Sequence, residues 1–102
     1  MPRNAVNRSA IATAWEAHCG EGWPQFASPN EGQLMTLDTV ISGCVVFFLD
    51  SPEGLDPQRI TILKDCLTDL EDLTEDLDPD SRPYFLRLRR LGELLVATAP
   101  AS

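Results

Sequence analysis

Leu63, Leu70 and Leu77 repeat at heptad spacing between two Asp-Pro breaks, and this row constrains the chain more than any other feature. One break is Leu55-Asp56-Pro57-Gln58 and the other is Leu77-Asp78-Pro79-Asp80. Asp before Pro opens a helix. The carboxylate accepts bonds from free first-turn amides, and Pro forfeits nothing at the first helical position. Between the breaks, Ile60, Leu63, Cys66, Leu67, Leu70, Leu73 and Leu77 share one half of a helical wheel, and Asp65, Asp69, Glu71, Asp72, Glu75 and Asp76 share the other. A leucine row backed by charge suits a helix crossing its neighbours at a shallow angle in a bundle. Burial of each leucine stabilises by ~1.5–3 kcal/mol, so the row is a main source of stability.

The pattern predicts a helix over 57–77 and a second over 81–97. In the second, Tyr84, Phe85, Leu88, Leu91, Leu95 and Val96 face inward. Gly92 shares that face and permits a close helix approach. Pro83 is tolerated in the first turn, where its missing amide leaves no bond unmade.

Upstream, Ser28-Pro29-Asn30-Glu31 is a capping box and predicts a helix over 29–50. Leu34, Leu37, Val40, Ile41, Cys44, Val45, Phe47 and Phe48 form one broad face, with Val46 and Leu49 outside it. The C-terminal half is then apolar almost all round, which predicts burial on several sides and makes this the most buried helix. The same stretch is rich in β-branched and aromatic residues and contains Gly43, so 40–49 as a buried strand is the competing assignment. Length and the capping box favour helix.

A shorter helix is predicted over 5–18, with Ile11, Trp15 and His18 on one side and Gly20 as its stop. Trp23 and Phe26 flank Pro24 in the linker that follows. These rings either pin the linker across the bundle or form a docking arm. The expected fold is all-α: residues 1–102 as a single helical domain, a small three- to four-helix up-down bundle. The alternative is α+β with 40–49 as a strand. A length of 102 residues and a hydrophobic fraction of 43% fit one folded domain.

Acids outnumber bases 16 to 8, for a formal charge of −8. Bulk attraction to nucleic acid or to an anionic membrane is thereby disfavoured. The apolar run Thr39–Leu49 falls short of the ~20 residues that span a bilayer. No secretory signal is apparent, and the odd, widely spaced Cys19, Cys44 and Cys66 read as reduced thiols, so the expected location is cytoplasmic.

Motifs that carry chemistry are missing. There is no P-loop, G-x-G-x-x-G, G-x-S-x-G or H-E-x-x-H. Asp76-x-Asp78-x-Asp80 starts like a calcium loop. Ser81 then stands where glycine is required, and Arg87 where the twelfth-position glutamate belongs. His18 and Cys19 are neighbours in sequence, but a nucleophile pair needs facing side chains and an orienting third group. Cys44 and Cys66 lie on apolar faces without a C-x-x-C pair, which disfavours zinc. The chain is therefore expected to be non-enzymatic, with no catalytic residue, cofactor or metal.

Two surfaces remain as candidates for a protein partner. One is the acidic stretch Asp65, Asp69, Asp72, Glu75 and Asp76, which has no base within it. Arg82, Arg87, Arg89 and Arg90 follow closely and could neutralise it within the chain. The other is Leu86 and Leu94, aligned on the far side of the last helix with Arg90 between them, since arginine beside apolar anchors is an interface composition. The expected function is a small acidic protein–protein interaction module of bacterial type, an adaptor or immunity-type inhibitor acting by surface occlusion, with a basic protein as the candidate partner. A self-assembling homodimeric structural subunit is the first alternative. A small enzyme or metal protein using His18 and Cys19 is the second.

Overall fold

A computed structural model describes residues 3–22, 24, 29–51, 54–77 and 79–98, with side chains from Arg8 onward. It is all-α, a small bundle of α1 (Arg3–Cys19), α2 (Glu31–Asp50), α3 (Pro57–Thr74) and α4 (Arg82–Ala97). No strand occurs among the described residues, and 40–49 lies inside α2. The β-branched residues there do not break the helix. In its exposed N-terminal half, Thr36 and Thr39 donate their hydroxyls to the carbonyls of Gly32 and Met35, one turn back.

α3 opens as its sequence requires. Pro57 takes the first helical position, and the Asp56 carboxylate accepts from the Arg59 amide at 2.8 Å. The helix ends at Thr74, short of the expected 77. The amides of Asp76 and Leu77 bond to carbonyls three residues back, tightening the exit. Arg82 reaches back from α4 and donates to the carbonyls of Glu75 and Leu77, at 3.2 and 3.0 Å. Leu77 still enters the core from this turn, so Leu63, Leu70 and Leu77 are all buried.

α2 begins at Glu31, with Asn30 as its N-cap, two residues later than expected. Ser28, Trp23 and Phe26 lie outside the described residues. The C-terminus of α2 is satisfied from α1. Arg8 donates to the carbonyls of Phe48 and Ser51, both at 2.7 Å, and its guanidinium lies over the Phe48 ring.

The most buried helix is α4, not α2. Each buries six residues, α4 from sixteen positions and α2 from twenty. α4 packs against all three other helices. Gly92 explains its tight seam with α3, because a Cβ at that position would stand 2.5 Å from Leu67 Cδ2. The burial expected on several sides of the C-terminal half of α2 stops short of Val46 and Phe47, which are 45% and 37% exposed. Three helices contact α2, and this side is reached by α3 through Arg59, whose guanidinium lies 3.9 Å from the centre of the Phe47 ring.

Thr39–Leu49 is short, but α2 as a whole is long and apolar enough to cross a membrane by length and composition. Its inner face, from Leu34 to Phe48, is instead occupied by the other helices.

Candidate interaction surface

Residues three or four apart on a helix stack on one side, so Asp65, Asp69, Asp72 and Asp76 project together from α3 and its exit turn. All four are exposed, as is Glu75. Among the described residues, no basic side chain stands within ion-pair distance of any of the five. Three of the four arginines that could have neutralised them are engaged elsewhere. Arg82 caps the α3 exit, and Arg87 faces Glu21 at 3.7 Å. Arg89 holds Glu71 at 3.5 Å and Glu93 at 3.2 Å. Arg90 is exposed and pairs with no carboxylate among the described residues.

A groove of about 320 Å³ runs along the α3–α4 seam beside this stripe, lined by Glu71, Thr74, Glu75, Arg82, Leu86 and Arg89. Glu75 and Leu86, which the sequence assigned to separate surfaces, thus meet at one site. Leu86 is 44% exposed on its wall. Leu94 does not join it. That side chain is half-buried and packs against the core, so the two leucines do not form a continuous exposed pair.

His18 and Cys19 diverge. Cys19 is exposed, whereas His18 is 4% exposed. The His18 ring lies 4.6 Å from the Tyr84 ring, and its Nε2 is 4.0 Å from Asp38 Oδ1. Neither ring nitrogen finds a hydrogen-bond partner among the described residues. Tyr84 donates its hydroxyl to Asp38 at 3.0 Å. This His18–Asp38–Tyr84 cluster escaped sequence reasoning because its members sit on α1, α2 and α4, and no local periodicity relates them. Cys44 is buried and Cys66 half-buried. Burial pushes both thiols up, as expected of small apolar side chains rather than nucleophiles. Among the described residues, no group of three or more His, Cys, Asp or Glu is arranged to hold a metal.

Burial pushes the Tyr84 phenol well above its ordinary value of 10.0, and the nearby Asp38 carboxylate raises it further by charge and by hydrogen bonding. Tyr84 is the only tyrosine, so phenolate absorbance reports this one group. In alkali the unfolded chain ionises first. The stability linked to Tyr84 is therefore complete below about pH 10 and lost as the pH climbs toward the folded value. A spectrophotometric titration should show delayed ionisation that returns to the ordinary value in denaturant. A phenol titrating normally in the folded protein would contradict the buried placement.

The fold and this surface define a small all-α bundle with an acidic flank whose five carboxylates make no ion pair among the described residues. Comparison with protein-family models, with curated proteins and with solved structures returned no match.

Proposed function

We propose that this chain is a small protein–protein interaction module that docks a basic partner on the α3 flank and acts by occlusion. The carrying observation is that Asp65, Asp69, Asp72, Glu75 and Asp76 are exposed and have no ion pair among the described residues although four arginines follow them in sequence. Like charges one turn apart cost a few tenths of a kcal/mol per pair, and among the described residues no ion pair offsets them. A basic partner would relieve this repulsion, and the negative flank would steer its approach. Leu86 in the adjoining groove supplies an apolar anchor, and Arg90 one turn along supplies a donor. An adaptor or a toxin-neutralising inhibitor would use such a surface. The three free cysteines suit the reducing cytoplasm in which either would work.

Affinity capture with the wild type and with D69K/D72K/D76K tests the proposal. These positions are exposed, so the far-ultraviolet spectrum should be unchanged. Exposed ion pairs are each worth up to ~1 kcal/mol, so triple reversal should weaken binding to the captured partner by roughly ten- to a hundredfold. Unchanged capture by the reversed variant rejects the acidic flank as the docking site.

A further inference from the structure

The groove along the α3–α4 seam holds two carboxylates, two guanidinium groups, a buried threonine and an exposed leucine. Its donors are turned toward the protein itself. Thr74 donates its hydroxyl to the Glu71 carbonyl at 3.0 Å, and Arg82 donates to the Glu75 and Leu77 carbonyls. Arg89 is held between Glu71 and Glu93. Its acceptors are less occupied. Glu75 makes no ion pair among the described residues, and Glu71 meets Arg89 only at 3.5 Å. Both glutamates are exposed.

Three features of the groove suit a cation on an apolar stem. Glu75 is the C-cap of α3 and keeps helical backbone angles, so its carboxylate rises one turn beyond that of Glu71 on the same side. The groove lies at the C-terminal end of α3, where the helix dipole favours positive charge, and the last turn of α3 has no basic residue of its own. On the opposite wall, Leu86 is 44% exposed and offers apolar surface. Counted by charge, Arg82 and Arg89 balance Glu71 and Glu75. The stripe of Asp65, Asp69, Asp72 and Asp76 alongside leaves the region negative.

We infer that the groove receives an arginine side chain of the basic partner, its methylene stem along Leu86 and its guanidinium across Glu71 and Glu75. This rests on the docking of a basic partner proposed above and narrows that partner to one residue type. A long cationic side chain covers apolar surface with its stem while its head meets charge, which matches both walls. Two carboxylates a helical turn apart call for several donors in a planar spread. Guanidinium has them and an ammonium does not. Arg89 leaves room for the newcomer, because it keeps Glu93 at 3.2 Å when Glu71 turns away.

Titration of the isotope-labelled full chain with N-acetyl-arginine methylamide at low salt, followed by NMR, tests the inference. Saturable shifts centred on Thr74, Glu75 and Leu86 are expected. They should be roughly threefold weaker in affinity for the lysine analogue and absent for the citrulline analogue, which keeps the shape and lacks the charge. The double variant Glu71→Gln/Glu75→Gln, at exposed positions, should keep its far-ultraviolet spectrum and bind the arginine probe roughly tenfold more weakly. Equal affinity for arginine and lysine, shifts spread along α3 away from Leu86, the same shifts from N-acetyl-glutamate methylamide, or undiminished binding by the double variant overturns the inference. The captured partner separates this from the docking proposal. Partner binding that falls in D69K/D72K/D76K and holds in Glu71→Gln/Glu75→Gln overturns the groove assignment and leaves the acidic flank standing. Partner binding that holds in D69K/D72K/D76K rejects the flank and the inference that rests on it.

Discussion

Leu70→Asp is expected to abolish the cooperative unfolding transition of this domain. Leu70 is fully buried, at the centre of the heptad row, among core residues drawn from all four helices. Truncating a leucine in such a place costs ~2–5 kcal/mol through lost transfer energy and the cavity left behind. A carboxylate adds the cost of a charge removed from water, and in a buried site without a cation this is several kcal/mol more. The sum reaches the whole stability of a small domain, ~5–15 kcal/mol. Far-ultraviolet dichroism during thermal and urea unfolding checks it, with Leu70→Met as the volume-conserving control at under ~1.5 kcal/mol. A Leu70→Asp protein that melts cooperatively near the wild-type midpoint would refute the seam.

Arg8→Ala is expected to lower stability by about 2–4 kcal/mol, an unusual loss for one arginine near a chain end. The side chain bonds the last carbonyls of α2 at Phe48 and Ser51, adds a longer contact of 3.4 Å to Leu49, and stacks on the Phe48 ring. Its removal strands part-buried acceptors at the end of a helix and detaches α1 from α2 at that point. At roughly 4–8 °C per kcal/mol for a domain of this size, the melting midpoint should fall by about 8–32 °C. Arg8→Lys should recover only part of the loss. A point-like ammonium cannot span two carbonyls and stack on a ring as a planar fork does. A midpoint within about 3 °C of wild type in Arg8→Ala would show that water caps α2 equally well.

The two arginine caps share a logic. Arg8 closes α2 from the helix before it, and Arg82 closes α3 from the helix after it. Neither role shows in sequence. Helix starts are written locally, in short polar side chains and proline, and Asp56-Pro57 was legible for that reason. The ends of α2 and α3 are closed by long side chains arriving from other elements. The forecast end of α3 was accordingly three residues too late.

The same division runs through the candidate surface. The carboxylates of α3 were legible as exposed because a helix with a leucine row has only one other side to show. That they would stay unneutralised was not. The following arginines were close enough in sequence to pair with them, and only the angle of α4 sends Arg82 to carbonyls, Arg89 to Glu71 and Glu93, and Arg87 to Glu21. Leu86 and Leu94 looked equivalent at two-turn spacing. The packing of the core then drew Leu94 in and left Leu86 out.

Periodicity and turn chemistry determined by themselves that this chain makes four helices around a leucine-rich core, because those signals act between residues a few positions apart. Which side of an all-apolar helix stays uncovered, which helix becomes the centre, and where His18, Asp38 and Tyr84 meet were decided only by tertiary packing. α2 and α4 each touch all three other helices, but α4 is shorter and Gly92 lets α3 approach it closely, so a larger share of its residues is buried while Val46 and Phe47 of α2 stay at the surface.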